Sequence, residues 1–384
     1  MAARVYAIVV LGLVSAVMLA LLTITTGATF TAPSANPSNQ LATATLVAPT
    51  GVNAAVQSNG GTVRVSWTAT ASIWASGHRV YRATTSGGPY AQIQQIAGRT
   101  TVSYDDVPGT GTFYYIVRGY YNANGANWES ADSTQASAKP LDHFSFNAIA
   151  AQHSGSAFNV TAIARSQDNA AVSAFNGTVT FTVSSGTISP TSATMTNGSL
   201  TQSVTITGPY APSLTITTSG GTPAKSGTSG AFVLNHFRAT TVALTNGAAN
   251  TAGLPEAGDT IVLTFSEAAN TPGLGTCPGA DSASDLLTND ANPDTLTANG
   301  ASLSFGTIAL GSNGYFTSSK DAKRSTCAWS AGNTVLTITL VGVKSAGTVA
   351  APSTATWTPP ASLTSAAGET IDLTGIPSVT AVLF

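Results

Sequence analysis

The chain predicts an all-β fold, a row of small β-sandwiches behind an N-terminal hydrophobic segment. Three observations carry that reading. Short segments alternate apolar and polar residues, as in Thr62-Val-Arg-Val-Ser-Trp67, where Val63, Val65 and Trp67 share one face and Arg64 and Ser66 the other. A period of two belongs to a strand with one dry face. Turn-forming pairs such as Asn176-Gly177, Asn197-Gly198 and Gly220-Gly221 separate such segments. After residue 30 no long amphipathic helical pattern occurs.

Composition narrows the function. Of 384 residues only 8% are charged and the formal net charge is −2, where about 25% charged is usual. No basic field is available to hold nucleic acid or an anionic membrane. A hydrophobic content of 43% argues against disorder. Abundant Gly, Ser, Thr and Ala fit an exported β-protein with a hydroxyl-rich surface. The length has room for two to four domains of about 100–200 residues each.

Residues 1–28 have Arg4 as the one charge before an apolar run, Val5 to Leu22, with Thr26 and Ala28 at suitable positions for cleavage. This reads as a signal peptide; the run also suffices for an uncleaved membrane anchor. Residues 29–48 are a linker, Pro-, Ser- and Asn-rich over 33–39. The piece Gly-Ala-Thr-Phe-Thr-Ala-Pro-Ser-Ala-Asn36, followed by Leu41–Leu46 and Ala-Pro-Thr-Gly51, resembles the start of proteins exported by a SipW-type signal peptidase, such as the TasA/camelysin fibre proteins. That likeness implies a cell-surface component of a Gram-positive cell.

Residues 49–140 carry Val-Ser-Trp67, Arg-Val-Tyr-Arg82, Gly-Gly-Pro-Tyr90, Val-Ser-Tyr-Asp-Asp106 and Tyr115-x-Val117-x-Gly119 in that order. The series resembles a fibronectin type III domain of the bacterial kind. The resemblance implies that Trp67 is a core tryptophan on strand B. It also implies that Phe113 stands where many members have a corner tyrosine, so that the corner hydrogen bond is missing; a register one residue on would restore it through Tyr114 but turn the pattern inside out. Residues 141–236 alternate again in Phe158–Ala164, Thr178–Val183, Ser203–Ile206 and Leu214–Thr217. Phe175-Asn-Gly-Thr-Val-Thr-Phe181, Gly186-Thr-Ile-Ser-Pro190 and Asn197-Gly-Ser resemble bacterial Ig-like repeats of surface proteins. Residues 237–384 open with Thr241–Thr245 and Gly258-Asp-Thr-Ile-Val-Leu-Thr-Phe-Ser-Glu267, which resembles Ig-like domains of surface-layer and adhesin-type proteins. A strand-poor polar insertion is expected at 268–302, and insertions of that length are commonly functional or mobile. The last segment, Val379–Phe384, alternates as a strand that completes its own sandwich or adds to a neighbour's sheet edge.

Five groups of side chains are candidates for chemistry. Cys277 and Cys327 fall in one module of an exported chain, so a disulfide is expected. Asp281, Asp285, Asp290 and Asp294, with Asn289 and Asn292 among them, supply oxygens of the type calcium gathers. The Gly and closing Glu of an EF-hand are absent, and turn-forming Asx residues in a solvated loop account for the same residues. Trp74, Tyr121 and Trp128 lie in or beside predicted loops of the first module. There they either bind a sugar or protein partner or cap the sandwich end. Glu256, Asp259 and Glu267 carry no sign of a raised pKa, and no catalytic constellation is seen. His143, His153 and His236 flank the second module and His78 lies in the first, with no ligand spacing, so surface or junction histidines are expected.

The function these features imply is that of a non-enzymatic secreted or cell-surface protein acting in adhesion or as an envelope or fibre component. Its partners would be a cell-surface or matrix protein or a glycan, without nucleic acid; no cofactor is expected, calcium being the one candidate. Two alternatives are a carbohydrate-binding accessory to extracellular polysaccharide degradation and a subunit that self-associates by strand exchange.

Overall fold

A computed structural model describes residues 44–384 except 124, 272–284, 290, 300–303, 319, 323–324 and 344–345. The leader, most of the linker, Cys277, Asp281 and Asp290 lie outside the described residues. The protein is all-β, and Leu46–Phe384 forms one compact unit. Among the described residues no helix is long and apolar enough to cross a membrane.

The first strands are β1 (Thr50–Val56), β2 (Val63–Thr68), β3 (Gly77–Ala83), β4 (Ala91–Ala97), β5 (Ser103–Asp106), β6 (Phe113–Ala123), β7 (Ala126–Glu129) and β8 (Ala136–Ala138). They pair as sheets β1-β2-β5 and β4-β3-β6-β7, with β8 also on β6. Val63, Val65 and Trp67 of β2 meet Val80, Phe113, Tyr115 and Val117 between the sheets, as alternation requires. Phe113 points inward, so no hydroxyl is available at the corner position. A different phenol is used: buried Tyr115 donates to Asp106 Oδ2 at 2.9 Å, and Arg82 donates to the same oxygen at 2.8 Å.

The next strands are β9 (His143–Phe146), β10 (Gln152–His153), β11 (Ala157–Arg165), β12 (Gly177–Val183), β13 (Thr187–Ser189), β14 (Ser192–Met195), β15 (Ser199–Thr207), β16 (Ala211–Leu214), β17 (Ile216–Gly220), β18 (Lys225–Thr228) and β19 (Phe232–Asn235). Sheets β13-β15-β11-β9 and β14-β12-β17-β18 enclose Phe144, Val160, Phe175, Phe181, Met195 and Ile206, and β10-β19-β16 closes one end.

The last strands are β20 (Ala239–Thr245), β21 (Thr260–Phe265), β22 (Asp285–Asn289), β23 (Thr295–Asn299), β24 (Thr307–Ala309), β25 (Lys320–Ala322), β26 (Ser325–Ser330), β27 (Val335–Leu340), β28 (Ser353–Thr358) and β29 (Ser378–Ala381). They form sheets β20-β21-β27-β26 and β25-β22-β23-β24-β28-β29 around Phe265, Leu296, Phe305, Tyr315, Leu336 and Trp357. The C-terminal strand pairs within its own sheet, and Phe384 is buried in that core.

This sheet corrects the expected strand-poor insertion at 268–302. Two strands, β22 and β23, run through it and pair with each other over five residues. The signal was faint because β23 turns one large apolar residue inward, Leu296, amid Asx residues that read as turns. Asp294 explains the turn. Its buried carboxylate accepts the backbone N–H groups of Ala291 (3.2 Å), Gly314 (2.9 Å) and Phe316 (3.0 Å). Those amides engage both of its oxygens. Asp285 is the first residue of β22 rather than a member of an open loop.

The strand sets meet without free linkers. The β1–β2 turn sits on the second set: Leu141 N–H donates to Gly60 O (2.8 Å), Thr222 N–H to Asn59 O (3.0 Å) and Asn176 N–H to Ser58 O (2.9 Å). A Cβ on Gly61 would lie 2.3 Å from the Thr222 carbonyl oxygen, so only glycine fits there.

Candidate functional site

Trp74, Tyr121 and Trp128 come from three places in the sequence and converge on one end of the first sandwich. Trp74 meets Tyr121 edge-on, with ring centres 5.3 Å apart at 74°. Tyr121 of β6 lies directly across from Trp128 of β7, ring centres 5.6 Å apart at 33°. Trp128 is 57% exposed, and Ile73, beside Trp74, is 82% exposed. Aromatic contacts of this kind hold rings in fixed attitudes.

Two sets of hydrogen bonds support the patch. The β2–β3 loop is tied by hydroxyls, with Thr70 Oγ donating to Val47 O at 2.5 Å and Val47 N–H to Ser72 Oγ at 2.9 Å. Buried His78 anchors it. Its Nε2 accepts Thr70 N–H at 3.3 Å, its Nδ1 faces Thr101 O at 3.2 Å, and its ring packs edge-on against Trp67. A carbonyl only accepts, so Nδ1 carries the proton and the ring is neutral. Burial, with the positive charge of Arg99, accordingly lowers the His78 pKa.

The second support lies under the β6–β7 hairpin. Arg79 donates to Asn127 Oδ1 (2.9 Å) and Glu129 Oε1 (2.6 Å), Arg118 to Glu129 Oε2 (2.9 Å), and Tyr81 to Glu129 Oε1 (2.5 Å). Arg118 stacks on Tyr81 and Arg79 on Tyr120, with 4.5 and 4.8 Å to the ring centres. Burial alone would raise the Glu129 pKa; the bonds from Arg79, Tyr81 and Arg118 overcome it and lower it. The residues on either side of Trp128 are thus fixed while its ring faces solvent.

A second cluster lies where β10 and the end of β19 meet the last strands. His153 Nε2 is 3.1 Å from Glu267 Oε1 and 3.3 Å from Glu369 Oε2, and His236 Nε2 is 3.4 Å from Glu369 Oε1. Phe237 N–H donates to Glu369 Oε2 at 3.1 Å. A cleft of about 250 Å³ is lined by His153, Asn235, His236, Ser266 and Glu267. Burial pulls the His153 pKa down, but Glu267, the Ser154 carbonyl and Glu369 outweigh it and raise it. His153 and His236 are thus junction histidines, brought together although no spacing in the sequence pairs them with carboxylates. His153 and His236 share Glu369, because β10 pairs with β19 and sets His153 opposite Asn235. Glu256 and Asp259, the other carboxylates of the original trio, lie elsewhere and accept backbone N–H groups of Thr251 and of Gly247 and Glu256.

Cys327 lies half-buried on β26 and is not a free thiol.

No protein-family model matches the chain, and no curated protein matches it. Solved structures do resemble it. An Fn3-like protein from Clostridium thermocellum is 31% identical over 24% of this chain and 92% of its own, with TM-score 0.21. The D00-D0 domain of intimin is 14% identical over 47% of this chain and 95% of its own, with TM-score 0.22. The FN1–FN3 domains of chicken CNTN1 are 9% identical over 87% and 98%, with TM-score 0.22. The all-β architecture stands on the strand pairing of this chain itself.

Proposed function

We propose that the chain is an exported, non-enzymatic, multi-domain surface protein of adhesion or of an envelope or fibre, and that Trp74, Tyr121 and Trp128 form its contact surface. In this reading residues 1–28 direct export or anchor the chain. Residues 49–140, 141–236 and 237–384 are separate domains, and Cys277 pairs with Cys327. The observation that carries it is the convergence of three rings on one sandwich end, with Trp128 57% and Ile73 82% exposed. A chain with so few charges must draw affinity from apolar burial, and single Trp or Tyr anchors commonly contribute about 2 kcal/mol or more. The partner is a cell-surface or matrix protein or a glycan.

The test is retention of the protein on its producing cells or fibres, beside a glycan array, for wild type and for Trp74→Ala and Trp128→Ala. Retention reduced at least tenfold in both variants, without glycan binding, supports the adhesive reading. Glycan binding lost in both variants supports the second reading, a carbohydrate-binding accessory, which exposed Trp128 favours because an indole face can stack on a sugar ring. Unchanged retention and no glycan binding in either variant overturn the assignment of the surface. Strand exchange is disfavoured by the pairing of β29 with β28 and the burial of Phe384 in its own core.

A further inference from the structure

The His–Glu cluster between the second and third strand sets has the donor chemistry of a metal site. The geometry points to a divalent first-row cation of zinc's class, held by His153 Nε2, Glu267 and Glu369, with His236 as the nearest further donor.

The first argument concerns lone pairs. His153 Nδ1 faces the Ser154 carbonyl and His236 Nδ1 the Phe237 carbonyl, each at 3.2 Å. A carbonyl cannot donate, so each Nδ1 carries a proton, and Nε2 is the ring atom turned toward the carboxylates. Both Nε2 atoms face carboxylate oxygens, which also only accept. Acceptors turned on one another need a cation between them.

The second argument is distance. A charge-assisted N–H···O bond settles at about 2.7–2.9 Å. Within the trio the contacts are 3.1 and 3.3 Å, and His236 Nε2 lies 3.4 Å from Glu369 Oε1. Ligands about 2.0–2.1 Å from a tetrahedral zinc stand roughly 3.3–3.4 Å from each other. The ligand atoms of His153, Glu267 and Glu369 all lie within 4.8 Å of one another.

The third argument is the surroundings. Ring N–H groups bonded to backbone carbonyls, and a carboxylate held by a backbone N–H as Phe237 holds Glu369, are the outer supports that metal ligands use. The adjoining cleft gives a path of entry. The cluster is also improbable as a scatter of surface charge. The chain has four His and four Glu, and two of each meet here. His153 comes from one side of the joint and both Glu from the other, so a bound ion would tie the two together.

The test uses the full, untagged chain stripped with EDTA and titrated with zinc chloride in a calorimeter, with the melting temperature followed in parallel. One zinc per chain, a melting temperature raised by zinc and lowered again by EDTA, and cobalt absorption bands of tetrahedral strength are expected. Glu267→Gln and Glu369→Gln, near-isosteric with the native residues, should weaken zinc at least tenfold, and His236→Ala less than His153→Ala. Near-ultraviolet circular dichroism like that of wild type establishes that a variant is folded. Absence of zinc binding at 100-fold excess over protein, or binding unchanged in both Gln variants, overturns the site. Stabilisation by calcium but not zinc overturns the assigned class of ion.

Discussion

The guanidinium carbon of Arg238 lies 3.3 Å from the centre of the Tyr210 ring. Arg238 precedes β20 and Tyr210 precedes β16, so this contact crosses from the last strand set to the middle one. Tyr210 N–H also donates to Asp372 Oδ2 at 2.7 Å across the same boundary. Desolvated cation–π contacts contribute about 1–2 kcal/mol. Arg238→Ala should lower the calorimetric stability of the joint by about 1 kcal/mol and speed limited proteolysis near residue 236. Tyr210→Phe keeps the ring and should be near neutral. Equal losses in the two variants would assign the effect to the tyrosine hydroxyl instead.

His78 makes the first sandwich sensitive to mild acid. Its pKa is lowered in the fold, chiefly by burial, against about 6.5 when unfolded. The unfolded chain therefore takes up the proton first as pH falls. The stabilisation is complete above about pH 6.5 and is lost progressively as the pH drops below that value toward the folded pKa. Urea midpoints measured between pH 7.5 and 5 should decline through that window. His78→Gln, which keeps an acceptor for Thr70 N–H, should flatten the decline. The same curve in both proteins would remove His78 as its cause.

Asp106 holds a buried phenol and a guanidinium together. Removing its carboxylate leaves Tyr115 hydroxyl without its partner at 0% exposure, and Arg82 without its ion pair. Breaking a buried pair from one side costs about 3–5 kcal/mol. Because Arg82 is 30% exposed, we expect the lower end, about 3 kcal/mol, for Asp106→Ala by urea unfolding. Asp106→Asn should lose less. A loss below 1 kcal/mol for Asp106→Ala would show that water replaces the carboxylate.

Cys327→Ser should destabilise the last strand set by about 4 kcal/mol if its partner closes a loop of about fifty residues. A non-reducing peptide map of the wild type should contain one Cys277–Cys327 cross-link. Two alkylatable thiols in the unreduced protein would remove both expectations.

Much of the architecture was legible because one face of each strand is dry. Val63, Val65 and Trp67 announce their inward face in the order of the letters, and so do Val179 and Phe181. The aromatic patch was half legible: rings near turns mark a sandwich end, although the contact of Trp74 with Tyr121 depends on where the β2–β3 loop folds back. The strand at Thr295–Asn299 was illegible because one Leu in a run of Thr and Asn has no period to display. The His–Glu cluster was illegible for another reason. His153 and Glu267 are 114 positions apart, on opposite sides of a boundary, and no local spacing encodes the docking of one core against the next.

The β1–β2 turn has a mechanical consequence. The Asn59 and Gly60 carbonyls accept the main-chain N–H groups of Thr222 and Leu141, and Gly61 leaves no room for a side chain. A pull along the chain is therefore shared between the covalent link and these main-chain hydrogen bonds, and bending of the two neighbours requires those hydrogen bonds to break.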